Sequence, residues 1–465
     1  MVVRRGRTLR TLLAGSLLLG ATLVTSVIVG SLPASATPTV FYAAATVVGT
    51  PDCLTPATAC TLGTALGTVA AGDTIELVTS ATDDASGNVT SGTAYPGNLT
   101  VGTSVTIDPY GTTTPILDGG NSGTVLTVNG GVSLTISGVT IQHGSASYGG
   151  GGIYNGGTVN VTDSTLSGNS AGYGGGIYNP YGTVNVTDST LSNNSANFGG
   201  GGIDNSGTVN VTDSTLSGNS ANFGGGILNY RTVNVTDSTL SGNSARYDGG
   251  GIYNNSGATV NLGATIVANS SSGGDCFNYS TIADQGYDIA EDASCGFTAT
   301  GSVNSSPTLA ASLGILANNG GPTQTLLPAS TSPAVGVIPT GITLNGIPVC
   351  PRSDQRGVTS VGNCTVGAVE VPLCATGLTP HVLKATYGTS TFTGLFCVNP
   401  KGIGTYTQNT ATGTVSGIGS VTTFRGTRLI GALGKNLLLG GSTNGTKSGF
   451  VEVAPVKAIG TFTLR

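Results

Sequence analysis

Tryptophan is absent, methionine occurs once, and only 8% of the residues are charged. With two histidines, His143 and His381, and no C-x-x-C pair, the chain has no plausible ligand set for a zinc site. No Gly-Lys-Ser closes a glycine run, so there is no phosphate loop, and "GGGIYN" reads as a turn rather than a dinucleotide fingerprint. The calcium-binding nonapeptide GGxGxDxUx is missing despite 77 glycines. Past residue 36 no apolar run is long enough to span a bilayer. These absences leave no cofactor to expect.

What is present points to β structure. Gly, Ser, Thr, Asn, Val and Ala dominate the 465 residues, which favours strands and turns over helices. A hydrophobic content of 38% is modest, but low charge and regular Val/Ile/Leu spacing argue against disorder. Residues 1–36 read as an export signal. Arg4, Arg5, Arg7 and Arg10 precede an apolar stretch from Leu12 to Gly30 and a small-residue cleavage site at Ala34-Ser35-Ala36. The protein is therefore expected outside the cytoplasm, extracellular or at the cell surface. An oxidising destination suits eight cysteines in close sequence pairs: Cys53/Cys60, Cys276/Cys295, Cys350/Cys364 and Cys374/Cys397. Neighbour pairing is the expectation among many connectivities.

Charge divides the chain. Residues 37–370 carry 4 Lys/Arg against 20 Asp/Glu, whereas residues 371–465 carry 8 Lys/Arg against the single acid Glu452. The basic set is Lys384, Lys401, Arg425, Arg428, Lys435, Lys447, Lys457 and Arg465. It suits anionic envelope polymers and makes the tail a candidate attachment module. Nucleic acid is not expected as a partner of an exported chain.

The phrase "VNVTDSTLS" begins at Val159, Val184, Val209 and Val233, in steps of 25, 25 and 24 residues. Leucine-rich repeats need more leucines per unit and helix pairs need longer units, so a parallel β-solenoid is predicted. Val159 and Val161 alternate with polar neighbours and should face inward, as should Leu166 and Ile153. Glycine triplets such as Gly150-Gly151-Gly152 bend the chain into a short third strand, with positive φ expected in the glycine columns. Asn155/Asn179/Asn205/Asn229/Asn254 and Asn169/Asn194/Asn219/Asn243 should form amide ladders along the axis. About seven to nine such coils fit between residues 75 and 300, with a spacing of about 4.8 Å.

Two stretches outside the repeat carry a resemblance. "CTLGTALGTVAAGDTIELV", from Cys60, resembles the N-terminal cap of right-handed parallel β-helices of the polymorphic outer membrane protein type, though Gly63 and Thr64 stand where that cap has Arg and an acid. "GGDCFNYSTIADQGYDIAEDASCGF", "SPTLAASLGILANNGGPTQTLLPASTSPAV", "DQRG" from Asp354 and "GAVE" from Gly367 resemble the choice-of-anchor Q domain. The resemblance covers residues 53–370. It implies a secreted or surface-displayed β-helix, supports the Cys276–Cys295 bridge, and implies no established activity. The expected organisation is a signal at 1–36, a capped β-helix at 37–305, a choice-of-anchor Q-like C-terminal cap at 306–370, and a small basic β-sandwich or barrel at 371–465. That tail carries no LPxTG motif and is short for an outer-membrane barrel.

Four sets of residues deserve weighing as sites. Asp163, Asp188, Asp213 and Asp237 form a column whose carboxylates would repel or recruit a cation. The simpler reading is a turn in which each Asp caps local amides and faces solvent. A catalytic site breaks repeat symmetry, whereas this column is copied by it. A second set is the outward grid of Thr158, Asn160, Thr162, Thr183, Asn185, Thr187, Thr208, Asn210, Thr212, Thr232, Asn234 and Thr236. Flat hydroxyl and amide arrays can bind ice or glycans, and such residues are also simply soluble strand residues. Third, Tyr154, Tyr178, Phe198, Phe223, Tyr230, Tyr247 and Tyr253 gather near the glycine bends, where they could stack on sugars or pack half-buried. Last, His143, Arg231 and Arg246 depart from the repeat, but no aspartate pair or Arg-x-Lys accompanies them. The function expected is non-enzymatic: structural, adhesive or envelope display, with surface glycans as candidate partners. A polysaccharide-binding or polysaccharide-cleaving β-helix is the alternative, and an ice- or glycan-binding grid the third.

Overall fold

The computed structural model describes residues 38–371, apart from 46, 48–50, 80–93 and 361, and beyond them strand backbones between 379 and 464. The signal segment, and Cys374 with the side chain of Cys397, lie outside the described residues. A parallel β-solenoid of about eight turns, with about 25 residues per turn, makes up the body. Each regular coil passes through four strands, as in Thr208–Thr212, Thr215–Ser217, Ser220–Phe223 and Ile227–Asn229. Stacked coil on coil, these form a ten-stranded valine sheet, a nine-stranded leucine sheet, a five-stranded serine-alanine sheet and an eight-stranded isoleucine sheet.

Register follows the repeat residue for residue. Val184 pairs with Val209, Leu191 with Leu216 and Ile203 with Ile227. All of these side chains are buried in one continuous core. No coil could bury its own apolar residues, so the core exists through stacking. The serine-alanine strand was not foreseen. S-A-N-F does not alternate polar with apolar, and its ladder carries a register shift at each step. The shift absorbs an extra residue, Gly149, Gly199 or Asp248, present in alternate coils.

Corners repeat as faithfully as strands. Asp163, Asp188, Asp213 and Asp237 all sit at positive φ between 45° and 50°, a conformation Asp tolerates better than most residues. Glycine triplets need two properties at once. Gly200 has φ +67°, while a Cβ on Gly201 would lie 2.4 Å from the carbonyl oxygen of Gly225 in the next coil. The amide ladders form inside the coil. Asn194 donates to Asn219 Oδ1 at 3.0 Å and to the Leu166 carbonyl at 3.0 Å, and Asn179 donates to Asn205 Oδ1 at 2.8 Å. A third ladder, of Ser164, Ser189, Ser214 and Ser238, accepts from the backbone of the preceding coil.

At the N-terminal end the helix Leu62–Thr68 buries Leu62, Ala65 and Leu66, with Thr61 accepting from the Thr64 amide as N-cap. Disulfides join Cys53–Cys60, Cys276–Cys295 and Cys350–Cys364, as neighbour pairing anticipates. Residues 309–371 form a strap lying along the flank of the leucine sheet. In the last coils that sheet turns apolar on its outer side, with Ala264, Ile266, Ala268 and Ile289 packing on Leu309, Ile338, Val349 and Val366. Further along, Thr190 Oγ1 donates to the Gln324 carbonyl and Thr215 Oγ1 to Gln355 Oε1, both at 2.6 Å. The strap therefore crosses several coils. Its buried node unites two motifs: Arg356 donates to Asp354 Oδ2 at 2.7 Å and to the Glu370 carbonyl at 2.6 Å.

In the C-terminal region eight antiparallel strands, from Thr379–Tyr387 to Ala458–Leu464, close into a barrel with the first paired to the last. The barrel, rather than the sandwich, is the form the tail takes. Among the described residues no helix is long and apolar enough to cross a membrane.

Candidate functional site

The aspartate column does not face water along its length. Asp213 and Asp237 are buried beneath the strap, and Arg352 pairs with Asp213 and lies 3.8 Å from Asp237. The cation in the column is thus the chain's own guanidinium. Burial pushes the Asp213 carboxyl up to about 8 against the opposing pull of Arg352. Burial and then the Asp163 charge push Asp188 up to about 7, and burial and then Asp213 raise Asp237. The expectation that these turns face solvent fails for Asp213 and Asp237, because the strap docks over them. No group of His, Cys, Asp and Glu able to hold a metal ion occurs among the described residues.

The outward grid is regular, with Thr183, Asn185 and Thr187 in register with Thr208, Asn210 and Thr212. Its amides are already engaged. Asn185 donates to Asn160 Oδ1, Asn210 to Asn185 and Asn234 to Asn210, each at 2.7 Å. At its C-terminal margin Thr236 is buried and takes a hydrogen bond from Asn345 of the strap. Thr158, Thr162, Thr208, Thr212, Thr232 and the rest of the grid are partly exposed.

His143 makes a surface dyad with Asp118 at 3.0 Å. Burial works to raise the Asp118 carboxyl, but hydrogen bonds from Gln142, Gly120 and His143 outweigh it and lower its pKa. Positive φ at His143 matches the corner glycines Gly168 and Gly218, so this histidine occupies a turn position of the fold. The basic residues of the tail have side chains outside the described residues.

The isoleucine sheet carries the strongest concentration of chemistry on the surface. In each strand the flanking Ile and Asn are buried, and the middle residue points outward. The outward column runs Tyr154, Tyr178, Asp204, Leu228, Tyr253, Phe277. On one margin stand Tyr148, Tyr173, Phe198, Phe223 and Tyr247 from the serine-alanine sheet, with Tyr173 stacked on Phe198 at 5.0 Å and Phe223 on Tyr247 at 5.1 Å. On the other stand Tyr181, Tyr230 and Tyr279, in the turns after the asparagine ladder. Several rings are largely exposed: Tyr181 by 82%, Tyr279 by 63% and Tyr148 by 61%. Arg246 lies over the Tyr247 ring, 5.3 Å from its centroid.

The residues singled out by sequence thus come together on one face, joined by Tyr148, Tyr173, Tyr181, Phe277 and Tyr279. Asp204 was missed. It is 1% exposed, its Oδ2 has no hydrogen-bond partner, and burial alone pushes its carboxyl up to about 7. The signal was present in the sequence, since "GGGIDN" departs by one residue from "GGGIYN". Burial, then the charges of Asp204, Tyr173 and Tyr253, raise the Tyr230 hydroxyl. Compared with known proteins, the chain matches no family model, no curated protein and no solved structure.

Proposed function

We propose that this protein is an exported, non-enzymatic adhesive solenoid that binds polysaccharide along the aromatic face of its isoleucine sheet. One observation carries the reading: rings recur coil after coil on a single face of a surface otherwise built from Thr, Asn, Ser and Gly. Ring faces set at the coil spacing suit a polymer of sugar rings, whose apolar faces stack on aromatics. A binding role fits better than cleavage, because the aspartate column is engaged by Arg352 and no neighbouring charge tunes Asp204 into an acid–base pair. The order of the cap and DQRG/GAVE motifs supports placing the chain with polymorphic-outer-membrane-protein-type β-helices that carry a choice-of-anchor Q segment. The basic barrel is the proposed attachment module, directed at anionic envelope polymers.

Calorimetric titration of the full chain with soluble β-linked oligosaccharides tests the binding reading. The expected result is saturable binding that weakens ten-fold or more when Tyr148, Phe198 and Tyr247 are changed together to Ala, each ring contributing about 0.5–1.5 kcal/mol. Binding unaffected by the triple change would move the site elsewhere and overturn the reading.

A further inference from the structure

We infer that the dip in the aromatic column at Asp204 is a subsite for a protonated amine, so that the polymer taken by this face is an amino-sugar glycan. The inference rests on the polysaccharide reading above and names its ligand class.

The repeat would place an aromatic ring at this position. Tyr154 and Tyr178 precede Asp204 in register, and Tyr253 and Phe277 follow Leu228. Two coils thus lack the ring that their neighbours carry, and one of them supplies a carboxylate instead. In a solenoid each outward residue lies against its equivalents above and below, and at this break Asp204 and Leu228 are enclosed by their neighbours, exposed by only 1% and 3%. Along the axis, Tyr178 stands one coil before Asp204 and Tyr253 one coil after Leu228.

An ionised carboxylate so deeply buried calls for a compensating cation. Among the described residues none is supplied: neither Arg231 nor Arg246 is ion-paired with Asp204, and Oδ2 accepts no hydrogen bond from them. The contrast with Asp213, which receives Arg352, is direct. Rings beside an uncompensated carboxylate form the environment that favours an ammonium group, through cation–π attraction and charge together. The same face already holds one cation in this manner, Arg246 over Tyr247. A neutral or N-acetylated sugar offers no charge to Asp204, whereas a glucosamine unit offers its ammonium while its ring stacks on Tyr178 or Tyr253. Entry requires the side chains that enclose Asp204 to move aside, since that residue is 1% exposed.

The test titrates the full chain, at about pH 6.5, with three β-1,4-linked hexamers: glucosamine, N-acetylglucosamine and glucose. The expected result is binding of the glucosamine hexamer about ten-fold tighter than the other two, the size of a desolvated cation–π contact. Asp204→Asn should erase the preference for the glucosamine hexamer, with an unshifted thermal midpoint showing that the variant is folded. Should Asp204→Asn fail to fold, Asp204→Tyr, which restores the ring of the neighbouring coils, provides the same comparison. Equal binding of all three hexamers by the parent chain, or a preference surviving in the Asp204 variant, overturns the subsite while leaving the polysaccharide reading intact. Binding of none of them overturns both.

Discussion

Two flanks of the same solenoid, made by the same repeat, have been put to opposite uses. On the leucine-sheet flank the outward threonines Thr190, Thr215 and Thr239 are buried and hydrogen bonded to residues 324, 355 and 368 of the strap. On the isoleucine-sheet flank the outward residues are mostly rings, and several on its margins, such as Tyr148 and Tyr181, are largely exposed. A buried acid occurs on each. Asp213 is answered by an arginine from 139 residues further along the chain, and Asp204 has no ion-pair partner among the described residues. The difference teaches that a repeat array specifies a scaffold whose flanks acquire roles from whatever departs from the repeat. Where the chain supplies its own complement, a flank is structural; where it does not, the flank is free to meet a ligand.

The largest effect should come from the interior shared by both flanks. Asn219 sits on the internal amide ladder, accepting from the backbone and side chain of Asn194 and donating to Asn243 and to the Leu191 carbonyl. Asn219→Ala leaves the buried Asn194 N–H and the Leu191 carbonyl without partners. At about 1–3 kcal/mol for each orphaned group, the loss should reach about 3 kcal/mol or more. Chemical denaturation monitored by circular dichroism checks it, and a loss below about 1 kcal/mol would show that the ladder is not holding the coils together.

Next in size is the strap's cation. Arg352→Ala removes the guanidinium from Asp213 and Asp237 and should cost about 3 kcal/mol at about pH 9, where Asp213 is ionised and would be left uncompensated. The pH dependence has a definite sign. Asp188 is raised to about 7 and Asp213 and Glu370 to about 8, so the folded chain holds protons that the unfolded chain has released. Their stabilising contribution is complete below the unfolded carboxyl pKa of about 4 and is lost as pH rises through about 7 to 8. Thermal midpoints should therefore fall between pH 5 and pH 9, and limited proteolysis should release the strap first at the alkaline end. Asp213→Asn should flatten that fall, since the amide has no proton to lose.

How much of this was legible in sequence follows from the range of the interactions. Val159, Leu166 and Ile153 declare their inward direction by alternation and recurrence, and their partners are copies of themselves one coil away. The asparagine ladders and corner glycines were legible for the same reason. Ser195–Gly199 was not, because its pairing is held by backbone hydrogen bonds across a register shift that leaves no polar–apolar rhythm. The path of the strap was also hidden. Asp354, Gln355 and Arg356 stand out as a motif, but nothing local says that Gln355 reaches Thr190 and Thr215, more than a hundred residues earlier. "ATIVA" at 264–268, where other coils read "DSTLS", marks the docking place only once the strap is known. Asp204 was visible as a break in the repeat. Its burial was not, since strand alternation alone turns that position outward.

The smallest effect belongs to the outer ladder, and it separates exposure from burial within a single residue type. Asn210 lies in the grid of the valine sheet, donating to Asn185 Oδ1 and accepting from Asn234, both at 2.7 Å. These bonds are as short as those of the internal ladder, yet the amides are partly exposed, so water can replace each lost partner. Asn210→Ala should therefore cost about 0.5 kcal/mol, several-fold less than Asn219→Ala, by the same denaturation measurement. Equal losses at the two positions would mean that ladder geometry, rather than removal from water, sets the strength of the stack. A near-zero loss at Asn210 would leave the grid's regularity as a property of its surface, which is the only condition under which ice or glycan binding there becomes worth measuring.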